Sequence, residues 1–97
     1  MLHTINQSPF RSKTLETALR FVQPNDPVLF LEDGVYALAE KGSFKETIQN
    51  LLKTNPVYGL GPDIKARGIE AVVGDVQQVD YEGFVDLVEK HNVNTWL

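Results

Sequence analysis

The sequence predicts a single α/β domain spanning residues 1–97, with a mostly parallel sheet of four to five strands and helices on both faces. Three observations predict it. Short β-prone runs alternate with segments of helical period along the whole chain, the pattern of strand–helix–strand units. One run, "VLFL" at 28–31, is continuously apolar, as suits a parallel strand covered on both sides. Two sets, Leu15/Ala18/Leu19/Val22 and Tyr81/Phe84/Val85/Val88, recur at i, i+3, i+4 and i+7, which lines one side of a helix.

Each element has a local cause. "LHTI" at 2–5 is β-prone and is ended by Ser8-Pro9. Ser12 is placed to cap a helix over about 13–22, which Pro24-Asn25-Asp26-Pro27 terminates. After "VLFL" and the turn at Asp33-Gly34, "VYALA" at 35–39 predicts a short helix stopped near Gly42. Ser43 and Glu46 match a reciprocal capping box ahead of Ile48, Leu51 and Leu52. Asn55-Pro56 ends that helix and "VYGL" at 57–60 supplies the third strand.

Pro62 suits the first turn of a further helix, because its missing N–H would be unpaired there anyway. Asp63 near that helix's positive end, and Lys65 and Arg67 near its negative end, complement the dipole, with Gly68 as C-cap. A fourth strand is expected near 72–79, where Gly74 and two glutamines break the pattern. Asp80 is placed to cap the last helix, and "VNTWL" to form an edge strand.

Composition excludes several functions. The 42% hydrophobic and 23% charged residues are those of a globular domain, so disorder and coiled coil are poor readings. No apolar run approaches the roughly 18 residues of a membrane span. The N-terminus lacks the basic-then-apolar pattern of a secretory signal, so the cytoplasm is the expected location. Nine scattered basic residues against a net charge of −4 leave no stripe for phosphates, so direct nucleic-acid binding is not expected. Zero cysteines exclude a disulfide framework, a thiolate zinc site, an iron–sulfur cluster and a cysteine nucleophile.

No self-contained catalytic group emerges. "GLG" at 59–61 sits where a dinucleotide-binding turn would, but the position of the third glycine is Ile64, so a tight turn is the better reading. Asp33-Gly34 has no second acid at ligand spacing and reads as a turn closed by aspartate. His3 reads as a hydrogen-bonded structural histidine, and His91 as a partner of a helix's negative end. Ser8, Ser12 and Ser43 have turn or capping roles. Neither a metal nor a cofactor is expected. Phe10, Phe21, Trp96 and Leu97 are apolar groups in need of cover and are candidate interface anchors. Trp96 either folds back onto its own edge strand or docks against another subunit.

Six stretches, "MLHT", "SPF", "LFLEDGVYA", "YGLGPDIKARG", "VDYEGFVDLVEKH" and the final "W", occur in this order. Together they resemble the TusB/DsrH family of the DsrE/DsrF/DsrH-like superfamily, essentially end to end. The resemblance implies a DsrE/DsrF-like fold, with Asp33, Gly34, Gly61, Asp63 and Arg67 as motif turn residues. It also implies a complex with TusC/DsrF-like and TusD/DsrE-like subunits, typically a dimer of heterotrimers.

In the TusBCD branch such a complex relays persulfide sulfur in the cytoplasm toward 2-thiolation of the tRNA wobble uridine. The DsrEFH branch serves sulfur oxidation. Some DsrH-type members carry a cysteine in the helix after the Ser-Pro-aromatic element; by register the position here is Ala18. An alanine can neither attack a persulfide nor carry sulfur, so the resemblance implies a non-catalytic subunit. A small-ligand-binding enzyme using "GLGPD" and Asp33 is the competing reading from another class.

Overall fold

The computed structural model describes residues 1–97. In chain order the elements are β1 (Leu2–Ile5), α1 (Thr14–Leu19), β2 (Val28–Phe30), a 3₁₀ helix (Glu32–Leu38), α2 (Lys45–Leu52), β3 (Val57–Leu60), α3 (Gly61–Ala66), β4 (Gln77–Val79), α4 (Tyr81–Lys90) and β5 (Val93–Trp96). The five strands form one sheet in the order β4-β3-β2-β1-β5, and every pairing is parallel.

Strand register sorts the side chains. His3, Val28 and Val57 share one row, and Ile5, Phe30 and Gly59 another, on the same face of the sheet. Ile5, Val28, Phe30 and Val57 pack there against Leu15 and Ala18 of α1, Val35 and Leu38 of the 3₁₀ helix, Ile48 and Leu51 of α2 and Ile64 of α3. The opposite face carries buried Leu2, Leu29 and Leu60 and meets only α4.

That asymmetry has a topological cause. From β1 to β4 the chain steps steadily across the sheet, and right-handed crossovers keep those helices on one side. The step back to β5, at the far edge, reverses direction, so its helix must cross the other face. A ten-residue helix is about 15 Å long, while the five strands span about 19 Å.

Several expectations shift in detail. Helix α1 is shorter than 13–22, and its last N–H groups close onto Thr17 and Ala18 in a tight turn. Ser12 is not its N-cap; its hydroxyl accepts from the N–H of Thr14, only two residues on, at 3.1 Å. The Ser43–Glu46 capping box does not form. Lys45 N–H turns back to the Gly42 carbonyl, putting Phe44 at the cap position with its ring packed on the core.

Of "VYALA", residues 35–38 are the later part of a 3₁₀ helix that starts three residues earlier, at Glu32, and Ala39 lies just past its end. Strand β4 is only Gln77–Val79, because Asp75 adopts φ 73° and turns the chain. Residues 71–73 pair instead with Leu38 and Glu40, through an antiparallel bridge at Ala39 and Val72.

Other local readings hold. Asp80 caps α4 by accepting from Gly83 N–H at 2.8 Å. Gly68 has φ 69°, its N–H bonds Lys65 and that of Ile69 bonds Ile64, the paired bonds of a Schellman C-cap. The tail forms β5, an edge strand beside β1.

Candidate functional site

The turn "LEDG" lies at the carboxyl end of β2, the end of a parallel sheet where α/β proteins place their functional groups. The chain makes an abrupt change there. Glu32 takes φ 49°, and its N–H is held by Asp63 Oδ2 at 2.6 Å. Gly34 packs under the last residue of β1, so that a side-chain carbon at Gly34 would collide with the Ile5 carbonyl oxygen. Only glycine fits that approach.

Arg67, one turn beyond Asp63 at the end of α3, closes the cluster. Its Nε donates to Asp33 Oδ1 at 2.9 Å, and its Nη1 lies 3.8 Å from Asp63 Oδ1. The Asp33 hydrogen bond raises the Arg67 pKa above its ordinary value, burial opposes this, and the charges of Asp33 and Asp63 add to it. The tertiary structure thus joins Asp33, Gly34, Asp63 and Arg67, from segments about thirty residues apart. Gly61 opens α3 nearby and faces the Val79 carbonyl of β4 instead.

This cluster contains no thiol, hydroxyl or amine nucleophile, and both of its aspartates are tied to Arg67. Its guanidinium is already engaged by two carboxylates, and no three acidic or histidine side chains converge on a cation position. Ile64, the residue in place of a third glycine, is a core side chain. The arrangement ties the β2 turn to α3 and makes a rigid rim at one end of the sheet.

A second polar network joins the chain's two ends. His3 Nε2 lies 3.0 Å from Asp26 Oδ2, and Trp96 Nε1 donates to His3 Nδ1 at 3.0 Å. Asp26 also receives Gln23 N–H and the N-terminal ammonium. Burial works against the Asp26 carboxylate, but the hydrogen bonds from His3, Gln23 N–H and the N-terminus outweigh it and lower its pKa. His3 is the structural histidine expected; its partner Asp26 left no trace in the sequence beyond a turn.

The aromatic candidates divide. Trp96 folds back onto its own sheet, stacked on His3 and packed against the core. Phe21 leans on Trp96 at 5.7 Å yet is 60% exposed, and Phe10 meets Phe44 edge-on at 5.2 Å yet is 61% exposed. Leu97 projects into solvent. Ala18 is wholly buried in the core, so a thiol at this position would be packed away from any persulfide. One further feature went unread in the sequence: α4 buries none of its residues, although it carries a full apolar stripe.

Known proteins agree with this architecture along nearly the full chain. The family described as DsrH like protein matches residues 7–94. The chain belongs to the DsrH-like family. Among its relatives, Protein TusB of Pectobacterium parmentieri is 39% identical over 93 residues, 94% of each chain. Protein TusB of Shigella flexneri is 34% identical over 93 residues, 95% of each. In fold the chain is similar to the ychN protein of E. coli, with TM-score 0.84 at 16% identity, covering 98% of this chain and 97% of that one. The chain is thus a DsrH-like protein with an all-parallel sheet and no cysteine.

Proposed function

We propose that this chain is the non-catalytic, TusB-type subunit of a TusBCD-like sulfur relay complex, acting in the cytoplasm toward 2-thiolation of the tRNA wobble uridine. The single observation that carries the reading is a chain without any cysteine whose relatives, over about 95% of its length, are TusB proteins. Those relatives support the tRNA-thiolation branch over the sulfur-oxidation branch.

Relay proceeds when a thiolate attacks the outer sulfur of a persulfide, forming a new persulfide and releasing the donor as a thiolate. Each station needs a sulfhydryl. This chain supplies none, so the travelling sulfur rides on TusC/DsrF-like or TusD/DsrE-like partners, in a dimer of heterotrimers. The subunit's contribution is shape. Phe10, Phe21 and Leu97 offer exposed apolar anchors, and Trp96 stiffens the edge beneath Phe21. The rim of Asp33, Gly34, Asp63 and Arg67 ties the end of β2 to α3, with Gly61 beside β4.

Co-expression with the two partner subunits tests the assignment. The three chains are expected to elute together, and after loading with a persulfide donor, mass spectrometry should find sulfane sulfur on a partner alone. A chain that stays apart from both partners at micromolar concentration contradicts the assignment.

A further inference from the structure

Helix α4 is the sole cover of one sheet face, yet no residue of it is buried. Phe84 and Leu87 lean toward the sheet and are half-buried. Tyr81 and Val85 are 60% and 49% exposed, and Val88 lies next along the same side. Val88 and Val93 line one crevice with Phe84, so the stripe runs on to the open edge strand β5. Its outer flank is acidic, with Glu82, Asp86 and Glu89 all exposed and Lys90 the one cation of the helix, while its inner flank is Phe84 and Leu87.

We propose that the Tyr81–Val85–Val88 face of α4 docks a different subunit, one that presents an apolar surface rimmed by lysine and arginine. This rests on the function proposed above, which supplies such subunits, and assigns one of them a place on this chain. Charge decides the kind of partner. Symmetric pairing of two α4 helices would set Glu82, Asp86 and Glu89 against their own copies, and like charges across an interface are costly. The net charge of −4 further opposes association between identical chains. A cationic rim satisfies the same three acids while the apolar stripe leaves water.

The test compares the wild-type chain, Glu82→Lys/Asp86→Lys/Glu89→Lys and Tyr81→Ser/Val85→Ser, each co-expressed with the TusC- and TusD-like subunits. All five positions are exposed, so circular dichroism melts should match wild type. The expected result is co-elution of the wild-type complex, weakened by salt, and at least about a ten-fold loss of affinity in both variants. Variants that assemble as tightly as wild type overturn the α4 surface and leave the proposed function standing. A wild-type chain that assembles with neither partner overturns the proposed function, and this surface with it. Homo-oligomers of the isolated chain that both variants abolish overturn the choice of partner, since a second copy then occupies the stripe.

Discussion

The indole N–H of Trp96 donates to Nδ1 of His3 at 3.0 Å, which sets the state of the imidazole. Indole nitrogen is a donor only, so Nδ1 must be bare and the ring proton must sit on Nε2, directed at Asp26 Oδ2. The first and last strands are locked together by this contact as well as by their pairing. Nitrogen-15 NMR at neutral pH should show the Nε2–H tautomer. Trp96→Phe keeps an aromatic ring but leaves Nδ1 of a buried histidine unpaired, at a cost of about 1–3 kcal/mol in urea unfolding.

Acid should remove a defined part of the stability. The folded-state pKa of Asp26 is lowered: burial would raise it, but the bonds from His3, Gln23 and the N-terminus prevail. Such a group stabilises the fold fully above its unfolded value, roughly 3.9, and the contribution is lost as pH falls through the folded value. Asp26→Asn should therefore be less stable than wild type near neutrality. The gap should close once pH drops below the ordinary carboxylate range, as read by paired urea titrations. A gap of constant size would show that Asp26 acts without its charge.

Gly34→Ala should be among the most damaging single substitutions. The added methyl meets the backbone carbonyl of Ile5 at the end of β1, an interior strand paired on both sides, and neither can yield without moving the sheet. A loss of about 3 kcal/mol or more is expected, visible as a lower thermal midpoint.

The two aspartates bound to Arg67 should differ in worth. Asp33 is 54% exposed on its side chain, so Asp33→Ala should cost under about 1 kcal/mol. Asp63 also holds the Glu32 N–H at 2.6 Å, and Asp63→Ala should cost about 1–2 kcal/mol. Chemical denaturation of both variants gives the order directly.

Ala18→Cys should place an unreactive thiol in the chain. Ala18 has no exposed surface, and a buried thiol surrounded by apolar groups ionises poorly. Alkylation is expected only in denaturant. Rapid labelling of the native variant would mean that α1 opens.

Much of the framework was legible in the residues because its causes are local. Strand and helix periods, the Asp80 cap and the Gly68 cap each depend on neighbours within a few positions, and the structure contains them. The two expected caps that did not form were lost differently: Ser12 bonds Thr14 two residues on, and Ser43 is displaced by its apolar neighbour. Phe44 is pulled onto the core beside Phe10, so Ser43 has no helix end to serve. The rim at the sheet's end was half visible: its residues stood out, but the bonds of Asp33 and Glu32 to Arg67 and Asp63 cross more than thirty positions.

The sequence by itself determined the alternation of elements and the absence of any atom able to carry sulfur, since both are properties of residue type and order. Only the tertiary structure decided what α4 faces. A helical period says that Tyr81, Phe84, Val85 and Val88 share a side, but the reversal of strand order sends that helix alone across one sheet face, where Phe84 turns in and Tyr81, Val85 and Val88 stay exposed.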